Sequence, residues 1–227
     1  MKQVLPAGLE GFFPTPELAV RYAELLATEG VVRGLIGPRE VDRLWDRHLV
    51  NSALVARAVA TGSSVADVGS GAGLPGLVIA LNRPDLSVTL IEPLLRRTTF
   101  LNEVVAELGL ANVTVLRARA EAVSSRFDVV TSRAVARLPQ LLRWCVPLTK
   151  AGGSVLAMKG SAAAEELRES RGLFKDGALG AAELVLVKAP EGFEDVTLVR
   201  VPVLRTVEVG WGAVPDRAVT KRSRRRQ

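Results

Sequence analysis

A strand-like run, a carboxylate and a glycine-rich loop follow one another in SSVADVGSGAGLPGLVIALN, residues 63–82. The apolar run ends at Asp67, and glycines stand at positions 69, 71, 73 and 76. A strand, a glycine turn and a helix in this order are typical of nucleotide and cofactor sites. The last three glycines match the G-x-G-x-x-G dinucleotide pattern, which by itself is a weak signal. The stretch therefore predicts a cofactor site and leaves the cofactor open.

Two residues in this stretch disfavour a cofactor that carries a pyrophosphate. The Asp67 carboxylate would repel a diphosphate by ~1 kcal/mol or more at short range. Pro75 has no backbone N–H, and phosphate sites at helix starts rely on such donors. A cofactor with an ammonium and a sulfonium, such as S-adenosylmethionine, fits better, because Asp67 can accept the ammonium directly or through water. The alternative is that Asp67 is a turn or cap residue.

Two more acidic residues follow the next predicted strands. Glu92 ends the second strand in TLIEPL, where an acid can accept both ribose hydroxyls of either class of cofactor. Glu121 follows the third strand in RARAE, where its carboxylate and the Ala120 backbone can accept an adenine amino group. The alternative for Glu121 is a solvated loop acid. These positions indicate an adenosine site without choosing the cofactor.

The composition limits the other classes of site. The 227 residues are 48% hydrophobic and 24% charged, as in ordinary globular proteins. Cys145 is the only cysteine, which excludes an internal disulfide and a cysteine-based zinc site, and its apolar context predicts a buried structural thiol. No signal peptide and no apolar run of membrane-spanning length is visible. We expect a cytoplasmic protein without a metal.

The net charge of +6 is concentrated near the C-terminus. The stretch DRAVTKRSRRRQ holds six basic residues and one acid, which gives +5 and leaves +1 for the other 215 residues. A cationic arm on a nearly neutral body indicates a polyanionic partner. The alternative is a solubilising disordered tail.

The order of the predicted elements indicates an α/β fold preceded by helices. Residues 1–60 are predicted to be a helical extension, with a helix from Thr15 to Gly30 and a second helical region that breaks near residues 46–50. Residues 61–205 alternate short strands with helices over 74–82, 94–109 and 134–148, which predicts a mostly parallel sheet. The short PEGF connection makes the last two strands an antiparallel hairpin. Residues 206–227 are predicted to be a basic disordered tail.

Six motifs resemble those of the glucose-inhibited division protein B family: RHLVNS, DVGSGAGLPG, IEPLLRRTTFLNEV, RARAE, DVVTSRAVA and AMKG. They occur in the family's order and cover about residues 15–205. The resemblance implies a Rossmann-like class I methyltransferase that uses S-adenosylmethionine to methylate N7 of a guanine in bacterial small-subunit 16S rRNA. The implied partner is 16S rRNA, naked or in the assembled small subunit, with no membrane and no metal. We expect a monomer.

The resemblance also implies which residues contact S-adenosylmethionine. The family's contacts fall on Gly69, Leu74, Ala120, Glu121 and Arg133. By motif position they are joined by Asp67, Gly71, Gly73 and Glu92. At one position the chain departs from the family, which commonly has Asp-Ser after the RHL motif where this sequence has Asn51-Ser52. Asn51 keeps an acceptor oxygen but loses the charge, which removes the basis for a salt bridge there.

The implied reaction depends on positioning and needs no general base. N7 of guanine has a lone pair and no proton, and alignment alone can contribute ~7–11 kcal/mol. The N7/O6 edge presents acceptors, so Arg133 and Lys159, at the ends of the fourth and fifth predicted strands, are the expected partners of guanine. The alternative for each is a structural ion pair. Arg47 and His48 are candidates for closing the site or contacting RNA phosphate, although a lone helical histidine is usually structural.

Three arginines recur every four residues in the second helical region. Arg39, Arg43 and Arg47 would form a stripe suited to a phosphate backbone. The alternative is pairing with Asp42 and Asp46 within the helix.

Two other functions stay open at this level. One is an NAD-dependent oxidoreductase, because Glu92 and the glycines also suit a dinucleotide. The other is a non-catalytic RNA-binding or ribosome-assembly module with a vestigial cofactor loop. The intact Asp67, glycines and Glu92 argue against the second of these.

Overall fold

The architecture is known from a computed structural model that describes residues 2–212. The basic residues of the predicted tail lie beyond residue 212, outside the described part of the chain. Within residues 2–212 no helix is long and apolar enough to cross a membrane.

One mixed sheet of seven strands forms the centre of the described residues, in the order β3-β2-β1-β4-β5-β7-β6. Strands β1 to β5 pair in parallel, and β7 pairs antiparallel with both β5 and β6. The predicted parallel sheet with a C-terminal antiparallel hairpin is therefore confirmed. The strands are β1 Ser64–Val68, β2 Ser87–Ile91, β3 Val113–Leu116, β4 Phe127–Arg133, β5 Thr149–Met158, β6 Glu183–Val187 and β7 Val196–Pro202.

Helices precede the sheet and connect its strands. The α-helices are α1 Pro16–Leu25, α2 Asn51–Ala56, α3 Gly76–Asn82, α4 Leu95–Glu107, α5 Leu138–Cys145 and α6 Ala163–Glu169. Helix α5 begins later than the pattern over 134–148 predicts, because residues 134–137 form an irregular loop after β4. The sequence pattern did not predict α6.

The segment before the sheet is helical throughout residues 38–56, but its winding changes twice. Residues Pro38–Arg43 are 3₁₀ and Leu44–Val50 are π-helical before α2 begins. The predicted break near residues 46–50 is therefore wrong: the backbone widens there and stays helical. The predicted arginine stripe is also wrong, since side chains four residues apart do not align on a 3₁₀ helix.

The alternative pairing of those arginines is not observed either. Among the described residues, no salt bridge joins Arg39, Arg43 or Arg47 to the neighbouring aspartates, and Arg47 instead contacts Glu40 at 3.5 Å.

The two faces of the sheet carry different parts of the chain. Side chains of α1, α2 and the two π-helical segments, Leu26–Gly30 and Leu44–Val50, share one apolar cluster with α3 and α4. Helix α5 and the hairpin strand β7 contribute to a second cluster, which contains the fully buried Cys145. Burial raises the pKa of this thiol, as expected for a structural cysteine. The N-terminal segment thus packs directly on the face that carries the glycine loop.

Candidate functional site

The loop between β1 and α3 uses its glycines in two different ways. Gly69 and Gly71 have φ of 73° and 57°, a region that favours glycine, and both line a cavity at the C-terminal ends of the strands. A Cβ on Gly73 would lie 2.9 Å from the Tyr22 hydroxyl and would overlap Leu77, and one on Gly76 would overlap Leu90. Gly69 and Gly71 therefore shape the cavity, and a Cβ on Gly69 would also overlap the Val135 side chain. Gly73, whose φ is 99°, and Gly76 allow close packing of α3.

A cavity of ≈ 580 Å³ lies over this loop and is the candidate cofactor site. Six of the predicted site residues line it: Gly69, Gly71, Leu74, Glu92, Arg133 and His48. Leu35 and Ile36, from the segment before the sheet, form part of its wall. The N-terminal helical region therefore helps to enclose the site.

A smaller cavity of ≈ 150 Å³ shares part of its wall with the first, including Gly69. Ala120 and Glu121 line it, as expected for an adenine-binding position. Val68, Ile91 and Trp144 supply apolar surface, which suits a flat ring.

Glu92 lies in the wall of the larger cavity with its carboxylate held from several sides. Its Oε2 accepts the backbone N–H of Gly71 at 3.0 Å and lies 3.4 Å from Nη1 of Arg97, and its Oε1 accepts the N–H of Leu94 at 3.1 Å. The residue is only 1% exposed. This arrangement holds a carboxylate acceptor in place at the cavity, which is what a ribose diol requires.

Asp67 and Gly73 were expected to contact the cofactor, but neither lines the cavity over the loop or the smaller cavity beside it. Asp67 is fully buried, and its Oδ2 accepts the Gly76 N–H at 2.9 Å, at the start of α3. Burial raises the pKa of this carboxyl to about 7. Asp67 thus caps the start of α3 from beneath the loop, as in the alternative open at the sequence level, while its buried Oδ1 has no partner among residues 2–212. Its contact with a cofactor ammonium, directly or through water, stays a prediction.

A hydrogen-bonded chain of three side chains fixes Arg133 at the end of β4. Nη2 of Arg133 donates to Nδ1 of His48 at 2.6 Å and to the carbonyl oxygen of Arg47 at 3.2 Å. Nε2 of His48 lies 2.8 Å from Oε2 of Glu40. Nη1 of Arg133 is buried and has no hydrogen-bond partner among residues 2–212.

The chain also fixes the protonation state of His48. A guanidinium can only donate, so Nδ1 accepts and the ring proton is on Nε2, which donates to Glu40. The imidazole is therefore neutral. Burial and the positive charge of Arg133 lower the pKa of His48, which agrees with this state.

A third cavity, of ≈ 550 Å³, adjoins the first and shares Arg133 and Ala134 with it. We call it the acceptor cavity. Arg47 and Lys159 line it together with Asn51, at the start of α2. Arg133 is thus the charged side chain common to both large cavities.

Lys159 lines the acceptor cavity, but its ammonium is already engaged. Nζ donates to the carbonyl oxygen of Ala136 at 2.6 Å and pairs with Oε2 of Glu166 at 2.8 Å. The same oxygen accepts the N–H of Leu138 at 2.7 Å, and both charged side chains are 11% exposed. Lys159 and Glu166 therefore hold the loop between β4 and α5, as in the ion-pair alternative.

Sequence reasoning missed Glu40 and Glu166, the two carboxylates that orient this region. Glu40 is contributed by the 3₁₀ segment and Glu166 by α6, which was not predicted. Neither belongs to a motif, and only their distance to His48 and Lys159 reveals them.

A family model, described as rRNA small subunit methyltransferase G, matches residues 16–187. A protein from Thermobifida fusca named ribosomal RNA small subunit methyltransferase G is 52% identical over 217 residues, 95% of this chain and 92% of the relative. One of the same name from a Nocardioides species is 57% identical over 196 residues, 86% and 78% of the two chains. The chain belongs to this family.

Solved structures agree with the fold of an rRNA small subunit methyltransferase G family member. An S-adenosylmethionine-dependent O-methyltransferase from Thermotoga maritima aligns with a TM-score of 0.54 and 16% identity, over 74% of this chain and 72% of that one. The TYW2 protein of M. jannaschii, in complex with S-adenosylmethionine, gives 0.53 and 18% over 67% and 74%. The suspected family and the S-adenosylmethionine cofactor are confirmed.

The cavities of this methyltransferase family member fit that cofactor. Glu92 offers an acceptor for the ribose hydroxyls, and the apolar walls near Ala120 and Trp144 suit the adenine. Gly71 leaves room beside the backbone for the methionine part, and Gly69, packed against the Val135 side chain, lines the same cavity. The buried, unpartnered Nη1 of Arg133 lies on a residue of the same wall.

Proposed function

We propose that this methyltransferase transfers the methyl group of S-adenosylmethionine to N7 of a guanine in small-subunit 16S rRNA. The carrying observation is that the Arg133 side chain lines both large cavities, at the end of β4. Family membership supports the rRNA substrate, and N7 of guanine comes from the motif resemblance. When bound, S-adenosylmethionine supplies an electrophilic methyl group.

Residues around two cavities bind S-adenosylmethionine. Gly69, Gly71 and Leu74 form the surface under the methionine part, and Glu92 accepts the ribose hydroxyls. The adenine lies in the small cavity with Ala120 and Glu121. We place residues 61–205 in the cofactor-binding domain, and residues 1–60 in an extension that closes one wall.

The acceptor side needs cationic donors and a fixed geometry. Arg133 supplies a donor for a base oxygen, and His48 holds it at 2.6 Å. Arg47 is exposed beside the acceptor cavity and is suited to RNA phosphate. Lys159 holds the loop and adds positive charge. Because N7 carries no proton, none of these side chains has to act as a base.

The proposed substrate is 16S rRNA, and the form recognised is either naked RNA or the assembled small subunit. We propose a monomeric, cytoplasmic enzyme that uses its basic C-terminal residues for substrate binding. Removal of residues 217–227 should then weaken RNA binding and flatten its salt dependence without changing S-adenosylmethionine affinity. An unchanged salt slope would assign those residues to solubility alone.

The activity is tested on rRNA from a strain that lacks the gene. N7-specific reduction and strand cleavage at each guanine of 16S rRNA should show one site methylated in the parent strain and unmethylated in the deletion strain. Purified enzyme should restore it with S-adenosylmethionine. Unchanged N7 methylation in the deletion strain would refute the proposed activity. Tight NAD binding with no response to S-adenosylhomocysteine in calorimetry would favour the oxidoreductase.

A further inference from the structure

The turn that follows β4 contains a strained residue. Ala134 has φ of 56°, and among residues 2–212 it is the one residue other than glycine with a positive φ. Its Cβ crowds the following carbonyl oxygen, so an L-residue adopts this conformation at a cost that glycine does not have. Such strain persists where the surrounding structure imposes it, and it is common at ligand sites.

Contacts on both sides of Ala134 impose this conformation. Before it, Arg133 is the last residue of β4 and lies in register with Met158 of β5. After it, the carbonyl oxygen of Ala136 accepts a hydrogen bond from Nζ of Lys159 at 2.6 Å. The chain is thus fixed one residue before and two residues after Ala134, which leaves the turn little freedom.

The strained turn places the side chain of Val135 against the glycine loop. A Cβ built on Gly69 would lie 2.6 Å from Cγ2 of Val135 and 3.3 Å from its Cγ1. The side chain of Val135 is nevertheless 40% exposed, and it borders both the cavity over the glycine loop and the smaller cavity beside it. Apolar surface left open at a cofactor site is available for contact with the cofactor.

Val135 stands where the two cofactor cavities meet. Among residues 2–212, four residues line both cavities: Gly69, Pro93, Arg119 and Val135. The proposed cofactor has its ribose at Glu92 in the larger cavity and its adenine in the smaller one. The four shared residues therefore lie around the place where the cofactor passes from one cavity to the other, next to the bond between ribose and adenine. Val135 and Pro93 supply apolar surface at this junction.

We infer that Val135 binds the adenosine part of S-adenosylmethionine at this junction and that the strained turn at Ala134 holds it there. The inference rests on the proposed placement of the cofactor. Binding covers the exposed methyl groups of Val135, and burial of this apolar surface stabilises the complex. The contacts on both sides of the turn offset the strain at Ala134, so Val135 is in place before the cofactor binds.

The test measures cofactor binding without RNA. Val135→Ala removes the two methyl groups at the junction, and the matched control Val209→Ala removes them from a side chain that is 52% exposed and lines neither cavity. The ligands are S-adenosylhomocysteine and 5′-methylthioadenosine, which keeps the adenosine and the sulfur but lacks the amino-acid part. Calorimetry gives both affinities, and urea unfolding reports the stability of each protein.

We expect Val135→Ala to weaken the binding of both ligands by the same factor, roughly threefold to tenfold, the scale of one or two buried methyl groups. Val209→Ala should bind both ligands as the wild type does. Ala134→Gly relieves the strain but lets Val135 move, so this protein should be at least as stable in urea and should bind both ligands more weakly. In Val135→Ala, adding Ala134→Gly should cost no further affinity, because the side chain that the turn positions is gone.

A folded Val135→Ala protein that binds both ligands normally would overturn the inference. A loss confined to S-adenosylhomocysteine would also overturn it, because Val135 would then act on the methionine part. If Ala134→Gly still lowers affinity in the double variant, the turn does not act through Val135. Failure of the proposed function has a different signature: the wild type would bind both ligands and leave guanine N7 unmethylated.

Discussion

Two cations end neighbouring parallel strands and face the same cavity, yet the structure uses them differently. Nη1 of Arg133, the last residue of β4, is buried without a partner among residues 2–212, while its other terminal nitrogen is held by neutral His48. Lys159, after β5, is fully engaged by Glu166 and by a loop carbonyl. A charge at a strand end is therefore not by itself evidence of a substrate contact. A donor atom that has no partner within the protein is the better indicator of such a contact.

The difference also follows from the two side chains. The guanidinium has a fixed fork of five donors, so some can hold it in place while others stay available. The ammonium of lysine is a compact point charge, and two strong partners consume most of its capacity. At the same edge of the sheet, arginine suits recognition and lysine suits loop anchoring.

The largest effect should come from Arg133→Lys, which keeps the charge but loses the fork. The lysine cannot bond His48 and the acceptor cavity together, so we expect a roughly hundredfold fall in kcat/KM, the scale of one preoriented donor. Steady-state methyl transfer to unmethylated subunits measures this. The matched control is Arg137→Lys, at an exposed pair with Glu169, where little should change. A fully active Arg133→Lys enzyme would remove the distinction between the two cations.

Loss of the Lys159 charge should act mainly on folding. Lys159→Met leaves the carboxylate of Glu166 buried and unpaired, so we expect ~1–3 kcal/mol less unfolding free energy in urea titrations. Adding Glu166→Gln removes the stranded charge and keeps an acceptor for the Leu138 N–H. The double variant should therefore recover part of the loss. Additive losses in the double variant would show that the pair is not coupled.

The pH dependence should depend on His48, because only its neutral form accepts from Arg133. Burial and the charge of Arg133 hold the pKa of His48 in the folded protein below its usual value of 6.5. Activity should therefore be complete above pH 6.5 and should fall as the pH drops through the pKa of the folded protein. The charges that face this ring are Glu40, Arg47 and Arg133. A kcat/KM profile between pH 5 and 8 should show one acid limb of about tenfold.

Two variants test the assignment of that limb. Glu40→Gln removes the carboxylate that raises the His48 pKa, so the limb should move to lower pH while activity at pH 8 is retained. His48→Asn keeps an acceptor but cannot titrate, so its profile should be flat. An acid limb that persists unchanged in His48→Asn would belong to another group.

The smallest effect on function is expected at Asp67, which lies beneath the site. Asp67→Asn keeps an acceptor for Gly76, and S-adenosylhomocysteine affinity should change by no more than about threefold, since Asp67 does not line the cavity. Calorimetry measures this, with Glu92→Gln as a control that should bind more weakly. A large loss of affinity in Asp67→Asn alone would restore the direct ammonium contact.

Asp67 should also appear in the pH dependence of stability. Its folded-state pKa is raised from 3.8 to about 7, so the wild type loses stability relative to Asp67→Asn as pH rises from about 4 to 7. Urea titrations at pH 5 and 8 measure the difference. If the unfolding free energies of the wild type and Asp67→Asn differ by the same amount at both pH values, Asp67 does not titrate in this range.

Much of the fold could be predicted from sequence because it depends on local patterns. Alternating strands and helices gave the parallel sheet, and the short PEGF connection gave the antiparallel hairpin. The winding of residues 38–50 could not be predicted, since segments of six and seven residues are too short for the periods of 3₁₀, α and π helices to be told apart. Helix α6, at seven residues, is too short to show a periodicity.

Some residues of the candidate site could likewise be predicted from the sequence and others could not. Gly69, Gly71 and Glu92 follow strands whose ends meet at one edge, so topology alone brings them to one cavity. The sequence does not say which way a buried side chain points, so it left open whether Asp67 faces the cofactor or caps the start of α3. The contacts of Glu40 with His48 and of Glu166 with Lys159 join side chains of different elements, and Arg133 reaches His48 from 85 residues away in the sequence. Only the packed structure reveals them.

One matched pair of variants tests the contrast between the two cations most directly. Arg133→Met and Lys159→Met are compared in one assay of kcat/KM on unmethylated small subunits, with urea unfolding of both proteins. We predict that Arg133→Met loses at least roughly a hundredfold in kcat/KM and that Lys159→Met, when folded, stays within about tenfold of wild type. Lys159→Met should be the less stable of the two. A folded Lys159→Met enzyme that is more impaired in methyl transfer than Arg133→Met would contradict the account.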